Sequence, residues 1–366
     1  MLTTRNILLL SIFFFFTNCG NEDNGASVSI DRSAMLSDIG NYIILPGYQS
    51  LQAAEEELSQ AINAFTSEPT EASLATAKEK FKTTYLAWQK VNMFEFGPAE
   101  QNLLRSSVNI YPLDDEAVEN NIESGSYDLE TLANNDTKGF PAIDYLLFSK
   151  EPAALLEDYT TAELAPNRKK YLQDVTQAIH GKVATVTHAW EEEGGDYLHT
   201  FIASTGLDAG SSTSMMVNAM VLQLEKFTRN GKVAIPLGKL SGGVPRPLAS
   251  EAYYSGISQV LLAENLKAFE RLFQGIGLQD TQNRKSLSDY LIELNRKDLS
   301  DKIAGYFTTA NAEIGELNGP IAEEVNSNQE QVERVYTEIQ SLVLLLKNDL
   351  TSAMGISISY VDNDGD

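Results

Sequence analysis

Apolar residues recur at the α-helical period through most of this chain, and that period leaves little room for a sheet. Between 328 and 350, Val332, Val335, Tyr336, Ile339, Leu342, Val343, Leu346 and Leu350 keep the i, i+3, i+4, i+7 spacing of one buried stripe. Leu74, Ala77, Phe81, Tyr85 and Trp88 repeat it over 72–94. Leu51, Leu58, Ile62 and Phe65 mark the helix before, and "SEPTEAS" separates the two. Further helices are expected near 115–123, 141–148, 161–193, 212–230, 254–275, 285–304 and 308–317. Strand-like alternation is confined to scraps such as "GISISYV" at 355–361. The expected fold class is all-α, built from helical bundles.

A chain of 366 residues exceeds what one hydrophobic core usually serves, so two helical domains are expected. The best internal boundary is 194–213, where a Gly pair ends a helix and a Ser/Gly-rich stretch follows. That divides the chain into an N-terminal helical domain over 33–200 and a C-terminal helical bundle over 201–366. A second irregular stretch, "AIPLGKLSGGVPRPLAS" at 234–250, is long for a loop inside a domain, and its length points to function.

The first residues carry one Arg, an apolar run from Ile7 to Phe16, and then the chain's single cysteine, Cys19. The run is too short to span a bilayer but suits a secretory signal. A Cys directly after it resembles a lipoprotein signal, with 1–18 removed, Cys19 acylated and 19–32 a flexible tether. Acyl chains, with no spanning helix, would then hold the protein to a membrane. Glu22–Asp23 resembles the acidic export tag of surface lipoproteins, and fits a solvated linker equally. The formal charge of −24, with no basic cluster to offset it, excludes nucleic acid and anionic lipid as natural partners.

Several segments then fall in a recognisable order. They are Trp88 with Glu95, Phe96, Gly97 and Pro98 in "W…FEFGP", then "NIYPLDDEAVENNI", "GFPAIDYLLF", "NGKVAIPLG", "EAYYSGISQVLLAENLKAF" and "GISISYVDNDGD". Together they resemble the imelysin-like family of bacterial envelope proteins, also classed as peptidase family M75. The resemblance implies a two-domain helical fold with a site between the domains, an envelope location, and for some members a link to iron uptake.

One departure stands out. Where that family carries Gly-x-His-x-x-Glu, this chain has Gly139, Pro141 and Asp144. His and Glu three residues apart on a helix share a face and can share a metal. Proline offers no side-chain donor, and Asp reaches a methylene less far than Glu. Asp144 is expected in the first turn of a helix beginning near Pro141, steadied by the helix dipole. His188 precedes Glu191 at the same spacing but beside a charge run, and His180 and His199 read as packing or surface residues. No His-Glu-x-x-His, Gly-x-Ser-x-Gly or phosphate loop is present.

Carboxylates are the remaining chemistry. Glu95 sits between Phe94 and Phe96 and would need a partner if buried. Glu264 falls on an apolar helix face, either inward and paired or at its edge, with Arg105 and Arg246 as candidate partners. Asp362, Asp364 and Asp366 alternate like the start of a calcium loop that the chain does not complete. Tyr254, Ser255 and Ser258 lie beside a helix N-terminus whose N–H groups could receive a carboxylate or an anion.

The expectation is a non-catalytic, lipid-anchored protein of the outer membrane, periplasmic or surface-exposed, that binds a small ligand between two helical domains. The cleft would be lined by Asp144, Glu95, Arg246, Tyr254, Ser255, Gly139 and Pro141. No cofactor is assigned; a metal ion (iron, calcium or zinc) stays open. A metallopeptidase and an acidic module for an envelope partner are the alternatives.

Overall fold

Residues 31–279, 282 and 284–360 are described by a computed structural model. The leader, Cys19, most of the tether and Asp362, Asp364 and Asp366 lie outside the described residues. The N-terminal half carries α1 (Arg32–Ile39), α2 (Leu45–Ser67), α3 (Glu71–Val91), α4 (Pro98–Gln101), α5 (Leu104–Val108), α6 (Asp115–Ser124), α7 (Gly139–Phe148), α8 (Pro152–Thr160) and α9 (Ala165–Trp190). The C-terminal half adds α10 (Tyr197–Ala203), α11 (Ser212–Leu222), α12 (Ile235–Leu237), α13 (Ser258–Gln274), α14 (Leu287–Glu293), α15 (Lys297–Gly315), α16 (Ile321–Ser327), α17 (Gln329–Leu344) and α18 (Thr351–Met354). No strand occurs among the described residues, and "GISISYV" is irregular as far as it is described. The fold is all-α.

Local chemistry sets where the helices start. Thr70 and Ser73 form a reciprocal capping box at α3, Asp114 accepts the Ala117 N–H at α6, and Ser286 accepts the Asp289 N–H at α14. In the N-terminal half α2 packs on both α3 and α9. On the other side α13 packs on α15, and α15 on α17. Contact between α3 and α13 joins the halves, and one cluster of buried apolar side chains runs through both. Aromatic rings fill its N-terminal part. Tyr85 stacks on Phe140 with centroids 4.6 Å apart, and Phe81 meets Tyr85 edge-on at 5.5 Å.

Several sequence expectations shift. The helix read over 161–193 is α9 alone, starting at Ala165 with Pro166 in its first turn. The break expected between 304 and 308 falls instead at Asn295, whose positive φ of 59° turns the chain, so α15 runs unbroken. The stretch 194–213 contains α10, whose Phe201 is buried and stacks on Phe96 at 5.8 Å. Part of the irregular 234–250 stretch is helical too, because the helix of α11 continues through a π-helical segment, Gln223–Ala234, into α12. Thr228, Arg229 and Lys232 face inward there, on the same face as Val221 and Leu224, so that their polar character rather than their spacing hides them in the sequence.

Candidate functional site

Gly139 opens α7 with φ +76°, and a Cβ there would come within 2.3 Å of the Val108 carbonyl oxygen, so only glycine fits. Pro141 therefore stands as the third residue of α7, where its missing N–H costs nothing. Asp144 lies two residues further in than expected, outside the first turn, so a favourable helix N-terminus is not what holds it. Its partners come from the other half of the molecule. Oδ2 accepts the Tyr254 backbone N–H at 2.9 Å and Oδ1 the Ser255 N–H at 3.0 Å. That explains why α13 begins only at Ser258: residues 251–256 form a turn, closed by Gly256 at φ +65°, whose amides face Asp144.

Asp144 is 1% exposed. Burial pushes its carboxyl up to about 7, against the opposing pull of the Ser255 and Tyr254 hydrogen bonds, and the Glu251 charge pushes the same way as burial. Around it lies a cavity of about 280 Å³ lined by Tyr111, Asp115, Pro141 and Asp144 from the N-terminal half and Arg246, Leu248, Ser250, Tyr253 and Tyr254 from the C-terminal half. The Tyr254 hydroxyl donates to Asp115 Oδ2 at 3.0 Å, and this bond together with burial holds the phenol above its usual range. Ser250 is 2% exposed, and its Oγ has no hydrogen-bond partner among the described residues. Tyr253 and Tyr254 also line a wider neighbouring cleft of about 760 Å³, together with Ser255, Pro320 and Glu323.

Asp144, Arg246, Tyr254 and Pro141 thus share one cavity. Ser255 touches Asp144 from the neighbouring cleft, and Gly139 sets the start of the helix without lining either. Glu95 belongs elsewhere. Its carboxylate accepts the Arg105 N–H at 3.1 and 3.2 Å near the start of α5, and it lines a separate cleft with Glu100, Met215, Asn218 and Tyr360. Burial raises its carboxyl, with Arg105 opposing. Arg105 is therefore the partner of Glu95, whereas Glu264 reaches Lys90 at 3.7 Å from a half-buried edge.

Behind the cavity is a polar core that periodicity did not single out. Glu251, 1% exposed, pairs with Lys232, 3% exposed. Its Oε1 also accepts from Asn109 at 2.8 Å and from Gln89 at 3.3 Å. Lys232 donates to Gln89 Oε1 at 2.9 Å, Asn92 to the same oxygen at 3.0 Å, and Asn265 to Asn92 Oδ1 at 2.9 Å. Thr228 closes the chain on Asn265 at 2.6 Å. Burial lowers the Lys232 ammonium and the Glu251 charge restores it in part. Both residues lie inside segments already noted, "NGKVAIPLG" and "EAYYSGISQ", and their inward direction was the missing signal.

The donors do not suit a resident metal. Pro141 has none to give, and both oxygens of Asp144 are engaged by backbone N–H groups. Among the described residues no three His, Cys, Asp or Glu side chains converge. His188 and His199 are exposed at 67% and 80% of their side chains, each near an acid of its own helix end.

No helix among the described residues is long and apolar enough to cross a membrane. The family model for Peptidase_M75, described as imelysin, matches residues 44–348. "Iron-regulated protein A" of Synechococcus elongatus is 26% identical over 158 residues, which span 43% of this chain and 42% of that protein, less than half its length. Two solved structures share the fold. One, described as an iron-regulated protein A precursor from Parabacteroides distasonis ATCC 8503, has a TM-score of 0.72 at 17% identity and covers 88% of this chain and 95% of its own. The other, an imelysin-like protein from Psychrobacter arcticum 273-4, has a TM-score of 0.68 at 16% identity, over 90% and 97% of the two chains.

Proposed function

The chain belongs to the imelysin family, and from that premise we propose that it is a non-catalytic binding protein of the cell envelope, anchored through acylated Cys19. Its ligand is a small polar molecule that enters the cavity between the halves. One observation carries this: a buried carboxylate of the N-terminal half is fastened to the backbone of the C-terminal half at the wall of an accessible cavity. Arg246 and Asp115 offer charges of both signs there, Tyr253 and Tyr254 offer ring faces, and the unpartnered Ser250 hydroxyl offers a hydrogen bond. A link to iron physiology is supported by the names of two relatives, both iron-regulated proteins.

The test is metal analysis of protein purified without chelators, beside peptide cleavage assayed with and without chelator. Neither stoichiometric metal nor chelator-sensitive cleavage is expected. Native mass spectrometry of protein isolated from its own envelope should show a small adduct that Arg246→Ala weakens. Stoichiometric metal that disappears in Asp144→Ala would overturn the proposal. A second reading, an interaction module, is favoured by Leu240, Val244 and Leu248, exposed at 69%, 64% and 66% in one stretch of chain whose Leu248 also lines the cavity. A stable protein partner lost on Leu240→Ser, with no small adduct, would select it.

A further inference from the structure

Arg246 reaches the Asp144 cavity from a stiff piece of chain. Pro245 and Pro247 flank it, and its backbone N–H donates to the Pro236 carbonyl at 2.8 Å, so its main chain has little freedom to swing. Its guanidinium nonetheless makes no hydrogen bond or ion pair among the described residues. Asp115 reaches the same cavity from the N-terminal half, in the first turn of α6. Its Oδ2 accepts the Tyr254 hydroxyl at 3.0 Å, and its Oδ1 has no partner among the described residues. Tyr254 is itself fixed, since the rings of Tyr145 and Tyr253 each meet it edge-on with centroids 5.1 Å apart.

Two opposite charges are thus presented to one cavity and do not pair with each other. The remaining charges nearby are already answered, Asp144 by two backbone N–H groups and Glu251 by Lys232. A guest with one charge would meet its opposite at one of these residues and its like at the other. A zwitterion meets an opposite charge at both. Its two charge-assisted hydrogen bonds, each about 2.8 Å long, also bridge a gap too wide for direct pairing. Size narrows the class further. The volume of about 280 Å³ lies at the lower edge of small-molecule sites, which run from about 300 to 1,000 Å³, and suits a single amino acid. The buried, unpartnered Ser250 hydroxyl adds a hydrogen bond, and Leu113, Leu248 and the Tyr253 ring offer apolar surface to a side chain.

We infer that the ligand of this cavity is a free amino acid with an apolar side chain, its carboxylate on Arg246 and its ammonium on Asp115. This rests on reading the cavity as a binding site and goes beyond it by fixing the ligand's class and orientation.

Titration calorimetry of the full chain in detergent with L-leucine, L-methionine and L-phenylalanine tests it. At least one should bind with a stoichiometry of one, and its N-acetyl and amide derivatives should each bind at least about tenfold more weakly. Arg246→Gln should erase the preference over the amide, which lacks the carboxylate. Asp115→Asn, which keeps an acceptor for Tyr254, should erase the preference over the N-acetyl form, which lacks the ammonium. Both side chains are exposed, so neither replacement disturbs the core. Equal affinity for the amino acid and its derivatives, or binding of none of the three, overturns the inference. A preference that neither variant changes reflects added bulk and overturns it equally. The cavity reading falls separately: an Arg246-dependent adduct in native mass spectrometry preserves it when the amino acids fail, and no adduct of any kind removes both.

Discussion

The junction between the halves and the interior of the N-terminal helical pack both bury acids, and they treat them oppositely. At the junction every buried acid has partners: Glu251 has Lys232, Asn109 and Gln89, and Asp144 has two backbone N–H groups. Within the N-terminal pack Glu55, on the buried side of α2, is 0% exposed, and neither of its oxygens meets a donor among the described residues. Burial pushes its carboxyl well above the ordinary carboxylate range, with no neighbouring charge opposing it. Depth alone therefore assigns no role to a carboxylate. Partnered acids at the junction tie the two halves of the chain to each other, while Glu55 is a buried acid without a partner among the described residues.

That contrast breaks first, and hardest, at Lys232. Lys232→Met leaves Glu251 buried without its cation and should cost about 3–5 kcal/mol of stability by denaturant unfolding. A loss below about 1 kcal/mol would mean that the junction does not depend on the pair. Asp144→Ala removes the acceptor of two inter-half N–H groups and should cost about 2–3 kcal/mol, with faster amide exchange at Tyr254 and Ser255. Slow exchange at those two amides in the variant would show that something other than Asp144 fastens them.

A pH series sharpens the comparison further. The Asp144 carboxyl sits at about 7 in the fold, above its ordinary value of 3.8, so the folded state takes up its proton more readily than the unfolded chain. Its contribution is complete below pH about 4 and is lost as pH rises through 7, at no more than about 1.4 kcal/mol per pH unit. Asp144→Ala should accordingly cost more at pH 5 than at pH 8; equal costs would show that the carboxyl titrates alike in both states. The smallest effect is expected at Glu55. Glu55→Gln keeps the shape and breaks no hydrogen bond and should change stability by less than about 1 kcal/mol, whereas the same replacement at Glu251 removes an ion-pair partner. A large loss at Glu55 would reveal a partner for it.

Long helices were legible because their stripes are long. α3 and α17 show in the period of Leu74 to Trp88 and Val332 to Leu350, where each buried position repeats before the pattern drifts. One-turn elements such as α4 and α5 offer no period. Glu55 was readable in principle. It lies four after Leu51 and three before Leu58, on the apolar stripe, but it sits in a run of three glutamates that looks solvated. Asp144, Arg246 and Tyr254 stood out by their place in motifs, although the bond from Asp144 to residue 254 spans a chain separation that no local pattern encodes. Glu251 and Lys232 look like surface residues because charged side chains usually are, although Lys232 falls on the same helical face as buried Val221 and Leu224.

Tyr253 and Tyr254 stand between two chambers and belong to the walls of both. They are a wall that the two share. Any displacement of either ring would change the shape of both volumes at once.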